Sequence, residues 1–449
     1  MSRTNYLGLA YRFNRDRFGT PSRLRYHKET WWGWSLGRYY VVTESDLRGN
    51  IKRWLKEESE PCRNCDCTEM LSAVAALQEV NIPDFVPMPC FMEAGEYDDT
   101  CNWLACKNTI LDLDNVVKDN CTRNLTNPTP NWFSPVVLDF DFDPGAGCPL
   151  FETFLRRSIP DVKTRDLTQE WFGYCLTKDT DLRSMLVLYG EGRTGKSTLT
   201  NVLEALVGAE NRSAVALEDM GGKYAAYLTI GKLVNFCGDA KGIKNLAEGV
   251  IKSFTGGDSM TVDEKYKRIY VAKMTAKIMA CTNVFPKIHD VSDAMWTRFL
   301  VVPMNEVIPK GDVDLKLLHS EHLDWPLRNE LPGILNWALA GLKRLRQQGR
   351  FTEAESMTTA KATLRHENCS LTQFVEERCT ANDAWEEPCK RFMMEYQAFC
   401  GQQCIYPLSG PEVGKVLRRL LPGVKKRKLG PRGEQQACYI GVQIHVPRD

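Results

Sequence analysis

The chain has no excess of charge of either sign. Its 58 Lys and Arg are matched by 57 Asp and Glu, a formal net charge of +1 over 449 residues. A uniformly basic, nucleic-acid-coating protein is thereby excluded, and any basic surface must be local. An apolar run long enough to span a bilayer is missing, as is an N-terminal leader pattern. A cytoplasmic location and no membrane partner are therefore expected. A disulfide framework is lacking too. The 17 cysteines are scattered, and Cys237 and Cys281 stand in apolar, strand-like runs, which suits a reducing compartment. Cys62, Cys65 and Cys67 make half of a zinc pattern, but no second Cys-x-x-Cys follows to complete four ligands.

What is present is a phosphate-loop pattern. Gly190, Glu191, Gly192, Arg193, Thr194, Gly195, Lys196 and Ser197 fit G-x-x-x-x-G-K-[ST], and Thr198 follows. Met185 to Tyr189 before it is a short apolar run that predicts a strand. Leu199, Val202, Leu203 and Leu206 after it fall at helical spacing. A loop between a strand and a helix N-terminus turns several backbone N–H groups toward one point, where phosphates can sit. In such a loop Lys196 reaches the β- and γ-phosphates and the Ser197 hydroxyl takes Mg²⁺, so ATP and Mg²⁺ are the expected cofactors.

Further polar residues stand at the ends of apolar runs downstream. Gly231 to Asp239 reads as a strand ending in an acid, placed to orient Mg²⁺ or the attacking water. Ile278 to Asn283 reads as a second buried strand whose terminal amide can meet the γ-phosphate or that water. Ser292 caps a short helix leading to Arg298, which is placed like an arginine finger, ahead of a strand at Phe299 to Val302. Between the strands, Gly256-Gly257-Asp258 and the alternation after it predict a hairpin tipped with Lys265, Lys267 and Arg268. Such a hairpin can hold a phosphate backbone.

The flanks are less explicit. Trp31, Trp32, Trp34, Tyr39 and Tyr40 read as the core of a small subdomain, with an amphipathic helix near Leu47 to Leu55. Asp139, Asp141 and Asp143 alternate with Phe, as carboxylates of two-metal polymerases do, but they run directly into Pro144-Gly145 and read as a connector. Residues 352–365 read as a linker. Near the C-terminus, a helix carries Val413 and Leu417 inside and Lys415, Arg418 and Arg419 outside. A basic hairpin follows, with Lys425, Lys426, Arg427 and Lys428 before a Gly-Pro-Arg-Gly turn. Helix, helix, basic hairpin predicts a winged helix that binds DNA.

Together these segments resemble the helicase half of phage, plasmid and poxvirus primase–helicases, superfamily 3 of the AAA+ helicases. The likeness rests on the phosphate loop, Gly238-Asp239, the block from Ile251-Lys252 through Gly256-Gly257-Asp258 to Lys265, and Cys281-Thr282-Asn283 followed by Arg298. Trp103 to Asp112 resembles part of the domain that precedes the ATPase in this family, and Glu330 to Ala338 the helix that follows it. The resemblance implies an α/β chain: an N-terminal mixed α/β or helical collar domain (1–150), a P-loop AAA+ core (151–348) and a C-terminal winged helix (349–449). It implies a homo-hexameric ring moving 3′ to 5′ on single-stranded and forked DNA. Lys196, Asp239, Asn283 and a trans-acting Arg298 would be catalytic, and Lys252, Lys265, Lys267 and Arg268 would grip DNA. Two departures stand out. Many members carry two acids or a Glu where this chain has only Asp239, and the segment ahead of the core is short for a primase. Primer synthesis by this chain is not expected, and a separate primase and polymerase are. The alternative is an origin-binding initiator whose ATPase drives assembly.

Overall fold

A computed structural model describes residues 5–93, 95–100, 102–115, 125–222, 224–238, 248–263, 269–285, 288, 293–309, 317, 325–403, 405, 407–431 and 435–445. The fold is mixed α/β, and its centre is a five-stranded parallel sheet. Among the described residues no helix is long and apolar enough to cross a membrane.

The N-terminal part packs α1 (Tyr6–Phe18), α2 (Glu44–Glu57) and α3 (Asn64–Ala75) with a meander of β1 (Leu24–His27), β2 (Thr30–Ser35) and β3 (Arg38–Val42). Thr43 caps α2 by accepting the Asp46 N–H at 3.1 Å. Leu47, Ile51, Trp54 and Leu55 then recur at helical spacing and are buried with Phe13, Trp31 and Met70. The aromatic run thus supplies core. Cys65, exposed, and Cys67, buried, lie two residues apart on α3 and face different sides of it. Two small sheets follow, β5-β4-β9 and β6-β7-β8. Their strands are β4 (Cys90–Glu93), β5 (Glu96–Asp98), β6 (Trp103–Ala105), β7 (Ile110–Asp112), β8 (Leu125–Thr126) and β9 (Trp132–Phe133). Asp139, Asp141 and Asp143 lie beyond β9, outside any strand. Asp139 pairs with Lys107 at 2.9 Å, and Asp143 accepts the Gly145 N–H at 2.8 Å.

The central sheet has the order β11-β12-β15-β10-β16. Its strands are β10 (Met185–Tyr189), β11 (Arg212–Ser213), β12 (Val234–Cys237), β15 (Lys277–Thr282) and β16 (Phe299–Pro303). Both faces are covered, which is why these strands read as continuous apolar runs. Along β10, Leu186 and Leu188 enter one core while Met185 and Val187 enter the other. The first core holds α4 (Pro149–Ser158), α5 (Val162–Cys175), α6 (Lys196–Val207) and, later in the chain, a helix at Leu331–Gln348. The second lies under α7 (Ala225–Thr229), α8 (Glu248–Gly256), a two-stranded ribbon of β13 (Ser259–Val262) and β14 (Tyr270–Lys273), and α9 (Asp293–Trp296). The Leu331–Gln348 helix is α10. Just before it, the Glu330 carboxylate accepts the Leu150 and Phe151 N–H groups at 2.9 Å each, closing the N-terminus of α4 from 180 residues away.

Where a linker is expected at 352–365, the chain forms α11 (Glu355–Glu367). Its Met357 and Leu364 are buried, and this tertiary packing outweighs a sequence with no side-chain cap and weak amphipathicity. The C-terminal part then runs α12 (Ser370–Arg378), β17 (Cys379–Pro388), α13 (Cys389–Gln402), α14 (Gly410–Leu420), β18 (Lys425–Leu429) and β19 (Gln436–Ile444). A Ser409–Glu412 capping box opens α14. The strands form an antiparallel sheet in the order β17-β19-β18, over a core of Phe374, Phe392, Tyr396, Val413, Leu417 and Tyr439. Three helices on a three-stranded sheet ending in a basic hairpin make a winged-helix arrangement. Strand β17 is the piece that sequence reading leaves out.

Candidate functional site

The loop Gly190–Gly195 leaves the C-terminal end of β10, the strand between β15 and β16. In an open parallel sheet, the carboxyl ends of the strands are where ligands gather. Three backbone contacts fix the loop from outside: Met304 N–H donates to Tyr189 O at 2.7 Å, Ile308 N–H to Arg193 O at 2.9 Å, and Gly190 N–H to Thr282 O at 3.3 Å. Gly190 has no alternative, because a Cβ there would stand 2.1 Å from the Met304 carbonyl oxygen. Gly195 sits in the left-handed region, φ 91°, as the N-cap of α6.

The side chains of the loop are arranged around Lys196. It is 9% exposed, and its Nζ donates to Gly190 O at 2.7 Å, Glu191 O at 2.5 Å and Thr194 Oγ1 at 3.3 Å. Thr194 Oγ1 donates in turn to Glu191 O at 3.0 Å. Thr198 is buried in the first turn of α6, whereas Ser197, Gly192 and Arg193 are exposed. The ammonium is thus held over the loop, with an exposed hydroxyl beside it at a helix N-terminus. Such an arrangement can receive a polyphosphate and a hard cation.

Neighbouring strand ends converge on the same edge. Thr282 stands opposite Tyr189 in the β10–β15 register, so half-buried Asn283 lies beside the start of the loop. Cys237, the last residue of β12, pairs with Ala280, and Gly238 beyond it is exposed. Asp239 lies outside the described residues, as do Ser292, Lys265, Lys267 and Arg268. Thr200 Oγ1 is 3.0 Å from Cys281 Sγ, tying α6 to β15 just below the loop.

Arg298 is not brought to this edge. Its carbonyl accepts the Met185 N–H at 2.8 Å, at the start of β10, and the loop begins five residues later, about 17 Å along a strand. Arg298 Nε donates to Thr255 Oγ1 at 3.0 Å, and its guanidinium also reaches Ala294 O. Lys252 is half-buried on α8, the helix that carries Thr255. The strands of the hairpin, β13 and β14, pair antiparallel from Ser259↔Lys273 to Val262↔Tyr270. At the end of the ribbon farthest from Ser259↔Lys273, Lys28 Nζ lies 5.0 Å from the centre of the Tyr270 ring.

A second basic locus is on the winged helix. Lys415, Arg418 and Arg419 are exposed on α14, and Lys425, Lys426, Arg427 and Lys428 are all exposed on β18. Arg418 Nε donates to Gly414 O at 2.8 Å, and Lys426 Nζ lies 5.8 Å from the Tyr439 ring centre. Four successive exposed cations mean that both faces of this edge strand meet solvent, the shape of a ribbon able to lie along a phosphate backbone.

Two family models match the two loci. Residues 188–298 match a family of unknown function, DUF5906, and residues 369–446 match the RFX DNA-binding domain. The chain is 24% identical to a protein named "Putative helicase" from Acanthamoeba polyphaga mimivirus over 262 residues, 54% of this chain and 27% of that protein. It is 35% identical over 57 residues to DNA-binding protein RFX7 of Xenopus laevis, 12% of this chain and 4% of that protein. The chain thus spans only a small part of either relative. Among solved structures, the C-terminal region of NrS-1 has a similar fold, with a TM-score of 0.53 at 12% identity, covering 96% of this chain and 98% of that one. Weak homology to a viral helicase-named protein over half the chain and an RFX-type DNA-binding match at the C-terminus are therefore established.

One buried cation was not legible from sequence. Lys277 opens β15 with its Nζ donating to Thr177 O at 2.9 Å and Thr275 O at 2.8 Å, 4.7 Å from the Tyr174 ring centre. Burial pulls its pKa down to about 8. It lies at the opposite end of the sheet from the loop and pins β15 to the segment after α5. A single Lys in an apolar run carries no periodic signal.

Proposed function

We propose that this chain is an ATP-driven DNA helicase of a virus or other mobile element, built on a superfamily 3 AAA+ core with a winged-helix DNA-binding domain. One observation carries the reading. The loop with its poised Lys196 opens at the same sheet edge as Asn283, in a chain that also bears a basic winged helix and weak homology to a viral helicase-named protein. In this reading the loop amides hold the triphosphate, Lys196 meets the β- and γ-phosphates, and Ser197 and Asp239 hold Mg²⁺. Asn283 senses the γ-phosphate or the water. Arg298, a strand's length from its own loop, serves the site of a neighbouring copy in a ring, which we take to be a hexamer moving 3′ to 5′. Lys252, Lys265, Lys267 and Arg268 grip single-stranded DNA in the channel, and the cations of α14 and β18 bind duplex DNA. A separate protein makes the primers.

The test is ATP hydrolysis by the full chain with and without single-stranded DNA. DNA should stimulate the wild type several-fold, and Lys265→Ala with Lys267→Ala should lose that stimulation. Arg298→Ala should lose hydrolysis and regain part of it when mixed with Lys196→Ala subunits, since each mixed contact pairs an intact loop with an intact finger. A rate indifferent to DNA in every form would sink the helicase reading. Sequence-specific duplex binding by residues 369–446 would then favour the second reading, an origin-binding initiator, for which the seven exposed cations of α14 and β18 speak.

A further inference from the structure

Beneath the loop, a buried hydroxyl stands without a partner. Ser158, the last residue of α4, is 1% exposed, and its Oγ makes no hydrogen bond among the described residues. It lies against Gly195: a Cβ built on that glycine would be 2.8 Å from Ser158 Oγ and 3.1 Å from the edge of the Phe154 ring. The left-handed turn that starts α6 therefore rests on two side chains of α4, one apolar and one a hydroxyl with both donor and acceptor capacity unused. Buried polar groups are nearly always paired, and an orphan beside a ligand loop calls for an explanation. Packing alone does not supply one, because an alanine would fill the place without the desolvation cost.

We propose that Ser158 is a positioning residue of the nucleotide site, its hydroxyl bonding to the Thr194–Gly195 backbone when a nucleoside triphosphate is held. The inference rests on the reading of the loop given above. To meet phosphate, Lys196 must exchange the carbonyls of Gly190 and Glu191 for the ligand. The turn at Gly195, from which Lys196 and the first amides of α6 project, is then the part of the loop that must be held in place. Ser158 Oγ is a buried polar atom without a partner among the described residues, and it lies against that turn. Gly195 admits this approach because it has no Cβ.

The distinguishing signature is a pair of changes of opposite sign. For Ser158→Ala in the full chain, thermal unfolding without nucleotide should occur at the wild-type temperature or above it, because an unpaired hydroxyl has been removed. Calorimetric affinity for Mg-ADP and for a non-hydrolysable ATP analogue should fall about tenfold, the scale of one lost hydrogen bond. Ser158→Cys, similar in size but a weak donor, should fall between the two. If Ser158→Ala lowers the unfolding temperature, the residue is packing and the inference is wrong. It is equally wrong if Ser158→Ala binds both nucleotides as tightly as wild type. A wild-type chain that binds neither nucleotide, like Lys196→Ala beside it, would instead overturn the reading of the loop itself.

Discussion

Lys196→Ala is expected to reduce ATP hydrolysis by at least about a hundredfold, the usual loss when one charge-stabilising group aimed at a transferring phosphoryl is removed. The fold should survive. The Lys196 ammonium bonds to two carbonyls and one hydroxyl of its own loop, and Glu191 is exposed, so water can replace the lost donor there. A stability cost of about 1 kcal/mol follows from the net worth of such bonds. Steady-state hydrolysis and thermal unfolding, measured together, separate the two effects. A variant that is stable and still turns over ATP at the wild-type rate would remove the loop from the chemistry.

The largest effect on stability is expected at Glu170. Its carboxylate is fully buried on α5 and collects four donors: Arg344 Nε at 2.7 Å, Thr352 N–H at 2.7 Å, Thr352 Oγ1 at 2.6 Å and Gln348 Nε2 at 3.3 Å. It thereby fastens α5 to α10 and to the turn beyond α10. Glu170→Ala leaves Arg344 with Asp166 alone, its carbonyl at 2.6 Å and its carboxylate at 3.5 Å, and leaves the Thr352 N–H without its acceptor and the Thr352 hydroxyl with only a 3.4 Å contact to Gln348 Oε1. Removing one partner of a buried pair costs about 3–5 kcal/mol, and the partial exposure of Arg344 puts this pair at the lower end. In a unit of roughly 200 residues each kcal/mol is worth about 2–4 °C, so unfolding should move down by roughly 10 °C. Glu170→Gln, which keeps the shape and one acceptor, should lose about half as much. If Glu170→Ala melts within a degree or two of wild type, this latch does not hold the helices together.

The strands of the central sheet were legible because burial on both faces makes them continuous apolar runs, as at Met185–Tyr189 and Lys277–Thr282. The loop was legible because a fixed glycine and lysine spacing stands between a strand and a helix. What escaped is long-range or polar. Strand β17 is mostly polar and exposed from Thr380 to Glu386 and has a register shift between Asn382 and Glu386, so it shows no alternation. Its place is set by pairing with β19, some sixty residues on. Helix α11 is held by Met357 and Leu364 against cores assembled from other segments. Ser158 carried no signal at all, since its significance is its distance from Gly195. The position of Arg298, at the far end of β10 from the loop, likewise comes from strand register, which spacing along the chain does not encode.

The ribbon of β13 and β14 stands outside the five-stranded sheet and, among the described residues, pairs only with itself. Two strands of four residues each, with Val271 and Ile269 exposed, have only each other for backbone pairing and are anchored to the second core chiefly through Val262. Amide hydrogens of 259–262 and 270–273 should therefore exchange with solvent through small local openings, orders of magnitude sooner than those of β10 and β15, which open only with the whole unit. Equal protection of the two sets in a native-state exchange experiment would contradict this. A part that detaches so cheaply can be displaced, strained and reset many times while the sheet behind it keeps its register.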